Sequence, residues 1–250
     1  MFDLYAGAAL SFDALALERC FLAADILAYD FASPRSEYAM LGLATEDDPF
    51  HVIATPLLRG QRVTVSTVEQ SGHDVLRMRR EIETLSARMG RRLVPITFVH
   101  RHPGPCTASV VDREFLTGVF IDQVSTAISW TEAVPIGPGH PRCGCAGMVQ
   151  LWRDAAFTGG VIRNLHQEYA VCFSLIVNRE RDYEIYAARV DTCPMCGRRQ
   201  VREIPAQLES AGRVILSTSQ RDALRRRLAL EIAEKVVFDP TPAPALAETL

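Results

Sequence analysis

A buried strand that ends in two histidines constrains this chain more than any other stretch. Residues 92–100 form a nearly continuous apolar run with β-branched residues, which predicts a strand. His100 and His102 close the strand, and Pro103-Gly104 follows as a turn. Side chains alternate faces along a strand, so we expect both imidazoles on one face and Arg101 on the other. The sequence therefore predicts two nitrogen ligands for one cation.

The rest of the chain alternates between helical and strand patterns. The predicted helices cover residues 10–31, with Ser11 as the N-cap, 73–90, stopped by Gly90, and 217–237. The predicted strands cover residues 37–45, 50–58, 62–70 and 92–100, and a hairpin covers 169–190. Strands interleaved with helices predict an α/β or α+β fold class.

Composition excludes several classes of protein. The 250 residues are 48% hydrophobic and carry a net charge of −3, as in an ordinary globular protein, so no membrane or nucleic-acid partner is expected. No run approaches the roughly 20 apolar residues that span a bilayer. The N-terminus lacks the basic start of a secretory signal, and we therefore expect a cytoplasmic protein.

Acidic residues on either side of the histidines offer a third ligand and a base. If Ser109 caps the helix that follows, Asp112 lies in its first turn and faces back toward the loop. Two imidazoles, one carboxylate and an open position suit a catalytic zinc. Such a site also needs a general base, and spacing alone leaves Glu37, Glu69 and Glu114 open.

The order and spacing of these residues resemble the JAMM metalloprotease family, the catalytic MPN-domain proteins. Glu37 precedes the strand residues YAMLGL, His-Arg-His-Pro follows at 100–103, and Ser-Val-Val-Asp follows at 109–112. The resemblance covers residues 10–190. It implies a JAMM/MPN-type α+β fold in which a mixed sheet is sandwiched by helices.

The resemblance also implies a set of roles. His100, His102 and Asp112 would bind a catalytic zinc, Glu37 would act as general base and acid, and Ser109 would donate a hydrogen bond to the oxyanion. The family hydrolyses amide or isopeptide bonds after the C-terminal tail of ubiquitin-like proteins. Some bacterial members lie in ubiquitin-like conjugation or antiviral operons, so conjugation-pathway enzymes are further expected partners.

Two features depart from the family pattern. Arg101 stands between the histidines, where the family usually has Ser or Thr. The loop between His102 and Ser109 is one residue shorter than the usual spacing. We expect the first change to affect the neighbours of the site, and the second to affect the reach of Ser109 while leaving the ligands in place.

Two pairs of cysteines predict a second, structural zinc. Cys193 and Cys196 flank two residues as in a zinc knuckle, which supplies two of the four ligands of a closed site. Cys143 and Cys145 form another pair in the Gly/Pro-rich insertion 123–165. A four-cysteine zinc would hold this insertion as a lobe, and the alternative is a redox-active or exposed pair.

The other cysteines are not expected to bind metal. Cys20 and Cys172 lie in apolar runs, which predicts core thiols. Cys106 lies in the loop after the histidines, where we expect no ligand role. The odd total of seven cysteines in a cytoplasmic chain also argues against disulfides.

The predicted domain covers residues 1–205, and residues 206–250 form a C-terminal helix with a Pro/Ala-rich tail. One side of this helix is basic, with Arg221, Arg225, Arg226 and Arg227. This basic side keeps open the alternative of a non-catalytic MPN-like scaffold that binds a partner or nucleic acid. A second alternative is a zinc amidohydrolase that acts on small molecules or peptides.

Overall fold

The fold is a mixed α/β arrangement, as the alternating patterns predict. The computed structural model describes residues 8–31, 36–63, 68–69, 72–108, 171–192, 199–209 and 216–238. Its helices are α1 (Ala14–Tyr29), α2 (Gly72–Met89) and α3 (Thr218–Lys235). Its strands are β1 (Ala8–Phe12), β2 (Ala39–Thr45), β3 (Asp48–Ala54), β4 (Gln61–Val63), β5 (Val68–Glu69), β6 (Leu93–Arg101), β7 (Val171–Val177), β8 (Tyr183–Thr192), β9 (Arg199–Ile204), β10 (Ala206–Glu209) and β11 (Val236–Phe238).

The large sheet has eight strands in the order β10-β1-β3-β2-β6-β7-β8-β9, and β11-β4-β5 form a smaller sheet. The large sheet is mixed. The strand pairs β1/β10, β1/β3 and β6/β7 are parallel, whereas β6 runs antiparallel to β2, and β8 runs antiparallel to both β7 and β9. The strand that carries the two histidines therefore lies in the interior of the sheet, between β2 and β7.

Pro205 joins the two ends of the large sheet. Ile204 of β9 pairs with Ala187 of β8, and Ala206 of β10 pairs with Ala8 of β1. The Pro205 carbonyl accepts a hydrogen bond from the Ala8 amide at 2.9 Å. Proline has no N–H to donate to a ladder, so the chain changes partner here. The sheet must be rolled so that its first and last strands adjoin, and the proposed boundary after residue 205 falls between two strands of one sheet.

Helices cover both faces of the sheet. In β2, Met40 and Ala44 belong to the core beneath α1 and α3, whereas Leu41 and Leu43 belong to a second core that includes Met78 of α2. All residues of β2 are buried because both of its faces are covered. The predicted sheet sandwiched by helices is present among the described residues.

The predicted start of the first helix is wrong. Residues 8–12 form β1, in which Leu10 and Phe12 are buried while Ser11 is partly exposed. The helix begins at Ala14, and the Asp13 carboxylate caps it by accepting from the Leu15 amide at 2.9 Å. Leu10 and Phe12 are two residues apart. This spacing fits the alternation of a strand, and beside an apolar helix it also fits an extension of that helix. Pairing with β10 and β3 selects the strand.

The other predicted ends of helices and strands lie closer to the observed ones. The predicted strand 62–70 is divided between β4 and β5 of the smaller sheet, and residues 64–67 lie outside the described ranges. The last helix ends at Lys235 and continues as β11. The prediction of α2 with its stop is confirmed, since Gly90 has a φ of +63°, which favours glycine. The hairpin of β7 and β8 is also confirmed.

Candidate functional site

The two histidines converge at the end of β6. The Nε2 atoms of His100 and His102 are 3.2 Å apart, and their ring centroids are 5.0 Å apart. His100 is buried and His102 is half-buried. Residues at spacing two in a strand point to one face, and this alternation brings the rings together as the sequence predicts.

The nitrogen separation suits a shared cation. Zinc binds imidazole nitrogen at about 2.0–2.1 Å, so two ligands of one tetrahedral ion lie about 3.3 Å apart. The observed 3.2 Å is close to that value. The same distance also allows a hydrogen bond between the rings when one Nε2 carries a proton. The pair is therefore compatible with one metal ion or one shared proton.

A backbone carbonyl orients the ring of His102. Its Nδ1 lies 3.2 Å from the Pro105 oxygen. A carbonyl only accepts, so this bond requires a proton on Nδ1 and leaves the lone pair of the neutral ring on Nε2. A second hydrogen bond of this kind is what fixes the metal-facing nitrogen of many histidine ligands.

The register of β2 against β6 brings Glu37 to the same face. Ala39 pairs with His100, and the Arg101 amide donates to the Tyr38 carbonyl at 3.0 Å. One further step in this antiparallel register places Glu37 opposite His102. Directly opposed residues point to one face with Cβ atoms about 4.5–5.5 Å apart. If the alternation of β2 continues past its start at Ala39, the half-buried Glu37 points to the face of both histidines.

The other two glutamates considered as a base are not placed beside the histidines. Glu69 lies in β5 of the smaller sheet, opposite Arg62. Glu114 lies outside the described residues. Of the two glutamates in the described ranges, Glu37 lies near the strand end that carries His100 and His102, and Glu69 belongs to the smaller sheet.

The remaining predicted site residues lie outside the described ranges. They are Ser109, Asp112, Cys143, Cys145, Cys193 and Cys196. Within the described ranges, no group of three or more His, Cys, Asp or Glu side chains converges closely enough to hold a metal ion. The third ligand of the predicted zinc site would have to come from a residue such as Asp112.

The loop that leads to Ser109 is anchored on the β7–β8 hairpin. The Ala108 amide donates to the Glu184 carboxylate at 2.7 Å, and the Asn178 side chain donates to the Gly104 carbonyl at 3.4 Å. Glu184 and His100 share a face, since Ile176 of β7 pairs with both. The chain therefore leaves Ala108 on the face of the sheet that bears the histidines.

The described cysteines behave as buried thiols. Burial raises the pKa of Cys106 to about 11 and that of Cys20 to about 12. The Cys106 thiol also donates to the Asp182 carbonyl at 3.1 Å. Both residues stay protonated at neutral pH, which disfavours metal binding and oxidation because those reactions need the thiolate.

The strands that flank Cys193 and Cys196 are paired. Thr192 at the end of β8 lies opposite Arg199 at the start of β9. Residues 193–198 therefore connect two neighbouring antiparallel strands.

Two residues beside the site were not predicted to have a role there. Gln61 is fully buried, and its side chain accepts from the Ala39 amide at 2.7 Å and donates to the Ala39 carbonyl at 3.1 Å. Arg101 faces away from the histidines as predicted, but its guanidinium donates to the Ser36 carbonyl at 2.7 Å. Local sequence gives no signal for these bonds, because each joins residues that are distant in the chain.

Carboxylates of α1 engage part of the basic side of α3. Arg225 lies 2.6 Å from Asp30, and Arg221 lies 3.6 Å from Glu18. Arg226 and Arg227 are exposed. The basic side therefore contributes partly to helix packing, which reduces the positive charge that it presents to solvent.

Comparisons with known proteins identify no family. No protein-family model matches the chain, and no curated protein matches it. A solution structure of a Desulfitobacterium hafniense protein is similar over 80% of this chain and 93% of its own, with 12% identity and a TM-score of 0.35. A likeness at that level carries no argument about function. Among the described residues, no helix is both long and apolar enough to cross a bilayer.

Proposed function

We propose that this chain is a zinc-dependent isopeptidase of the JAMM type that cleaves after the C-terminal tail of a ubiquitin-like protein. One observation carries the proposal. Two imidazole nitrogens lie 3.2 Å apart at the end of β6, and the register pairs His100 with Ala39, two residues after Glu37. The order of the motifs, in which a glutamate is followed by His-x-His-Pro and then Ser-x-x-Asp, supports the JAMM type for this site.

The residues have distinct roles in this proposal. His100, His102 and Asp112 would hold the zinc, which would supply a Lewis acid for the scissile carbonyl and for water. Glu37 accepts the proton of the attacking water and delivers it to the leaving amine nitrogen. Ser109 donates a hydrogen bond to the oxygen that gains negative charge. The Pro105 carbonyl keeps the ring of His102 oriented through Nδ1.

The proposed substrate is an extended tail that adds beside the sheet through backbone hydrogen bonds. The insertion 123–165 would form a wall of that groove. If the leaving amine is a lysine side chain, the enzyme removes conjugates, and if it is a peptide amine, it processes a precursor. A bacterial ubiquitin-like conjugation system with an antiviral role is the proposed context.

A structural zinc on Cys143, Cys145, Cys193 and Cys196 remains part of the proposal. The pairing of Thr192 with Arg199 supports it, because the residues on either side of the stretch 193–198 lie on neighbouring strands. The scaffold alternative rests on the basic side of α3, and the ion pairs of Arg221 and Arg225 with α1 weaken that support.

Metal analysis of the purified chain tests the proposal. We expect about two zinc ions per chain, with one lost in His100→Ala. His51→Ala is the matched control, because His51 lies in β3 with its Nδ1 2.8 Å from the Ser11 hydroxyl and should retain all metal. Equal zinc content in His100→Ala and the wild type would contradict the catalytic zinc.

Cleavage assays then separate the two hydrolytic functions. A ubiquitin-like protein with a C-terminal extension should be cut after its tail, while short acyl amides should not react. Turnover of the small amides alone would favour the amidohydrolase instead. The His100→Ala protein should cut neither substrate.

A further inference from the structure

Arg101 binds the backbone on both sides of Glu37. Its guanidinium donates to the Ser36 carbonyl at 2.7 Å. Its own amide donates to the Tyr38 carbonyl at 3.0 Å. The two carbonyls that flank Glu37 are therefore held by one residue, which stands 65 positions away from Ser36 in the chain.

The Arg101 side chain is built into the fold. It is 1% exposed and lies on the face of the sheet opposite the histidines. Burial also lowers the pKa of Arg101 below its usual value. Arginine nonetheless remains protonated in proteins, so a guanidinium in this place needs acceptors. The Ser36 carbonyl supplies one, and the bond is costly to lose.

Neighbouring contacts fix the residues that follow Glu37. The Tyr38 hydroxyl donates to the Cys20 carbonyl of α1, and Tyr38 is fully buried. Gln61 bonds both backbone groups of Ala39. These contacts hold the chain after Glu37, whereas the guanidinium of Arg101 holds the chain before it.

We infer that Arg101 is a positioning residue for Glu37, which it keeps on the histidine face by fixing the peptide groups at Ser36 and Tyr38. The inference rests on the proposed function, since it assigns Arg101 to the base of that site. Misplacement of a catalytic group by about 1 Å can lower a rate by about 100-fold. Arg101 thus acts on the reaction from the opposite face of the sheet.

Arg101→Met tests this inference, with Thr97→Val as the matched control. Thr97 is a buried polar residue of the same strand and face, and its methyl group lies beside Gly42, with which Thr97 pairs. In Arg101→Met we expect kcat to fall about 10- to 100-fold at unchanged KM and unchanged zinc content. Thr97→Val should keep the wild-type kcat.

Hydrogen exchange provides a readout that does not depend on activity. In metal-free protein, exchange in the peptide that contains residues 36–38 should rise about tenfold in Arg101→Met and stay at the wild-type rate in Thr97→Val. Unchanged exchange and kcat would overturn the inference. Loss of zinc in Arg101→Met would also overturn it, because Arg101 would then support the ligands rather than Glu37.

Two other outcomes are also informative: a variant that does not fold, and a wild-type protein that lacks zinc and activity. If Arg101→Met does not fold, Arg101→Lys keeps the buried charge but lacks the planar fork, and a smaller loss of kcat with faster exchange at 36–38 is expected. Wild-type exchange and kcat in Arg101→Lys would overturn the inference. A wild-type protein that binds no zinc and cuts no substrate refutes the proposed function, while the exchange comparison still decides whether Arg101 holds this segment.

Discussion

Two polar clusters of this molecule differ in what they bring together. One joins the three helices and alternates positive and negative charge. Lys235 lies 2.8 Å from Glu81 and 3.2 Å from Glu231, and Glu231 also pairs with Arg19. The other cluster lies at the end of β6, where the imidazoles of His100 and His102 meet.

The difference indicates two kinds of function. Opposite charges satisfy one another, so the helix cluster stabilises the packing of α1, α2 and α3 and has no need of a ligand. Imidazole nitrogens are electron-pair donors, and a cation stabilises two of them when they are held close together. Changes in the first cluster should alter stability, whereas changes at or beside the second should alter metal binding or catalysis.

Glu37→Gln should give the largest effect and alter catalysis alone. Glutamine has the same size but cannot accept a proton at neutral pH, so kcat/KM should fall about 100- to 10,000-fold. Zinc content and melting temperature should stay at the wild-type values. Glu46→Gln is the control, since Glu46 lies beyond the far end of β2 and pairs at the surface with Arg92. Full cleavage by the Glu37 variant would show that Glu37 is not the general base.

Glu231→Gln should alter stability alone. The Glu231 carboxylate accepts hydrogen bonds from Arg19, Lys235 and the Leu57 amide, and a neutral amide cannot replace them all. We expect the free energy of unfolding to fall by about 2 kcal/mol, measured by chemical denaturation. Catalysis by the folded variant should be unchanged. A large loss of kcat with unchanged stability would contradict the claim that the helix cluster contributes to stability alone.

The same variant should alter the dependence of stability on acid. Burial raises the pKa of Glu231, but the charges of Arg19 and Lys235 outweigh burial and leave it below the usual value of 4.5. A carboxylate with a lowered folded pKa stabilises the protein fully above its unfolded pKa. That contribution is lost as pH falls through the folded pKa. Glu231→Gln should therefore show a flatter fall in unfolding free energy below about pH 4.5 than the wild type.

Arg225→Ala should give the smallest effect. Arg225 and Asp30 are 2.6 Å apart with side chains about one third exposed, so solvent screens the pair. We expect a loss of about 0.3–1 kcal/mol that shrinks at high salt. Arg227→Ala is the control because Arg227 is exposed on the same helix. A salt-independent loss of several kcal/mol would contradict this prediction. It would show that this surface pair stabilises the protein in the same way as the buried ion pairs between the three helices.

The sequence predicted those helices and strands whose hydrophobic spacing lies within a single segment of the chain. The apolar run of β6, the amphipathic α2 with its glycine stop and the hairpin of β7 and β8 follow from spacing along one segment. The prediction failed at β1, where alternation over five residues precedes a helix. The strands β9 and β10 were not predicted, because Pro205 divides a stretch that pairs with opposite ends of the sheet.

The sequence by itself determined that His100 and His102 share a face, because side chains two apart in a strand always do. Only the tertiary structure showed how the backbone on either side of Glu37 is held beside this strand end. The register of β2 and β6 pairs Ala39 with His100, and Arg101 reaches Ser36 across 65 positions. A register of this kind depends on the packing of the whole sheet and its helices, so no pattern within either segment specifies it.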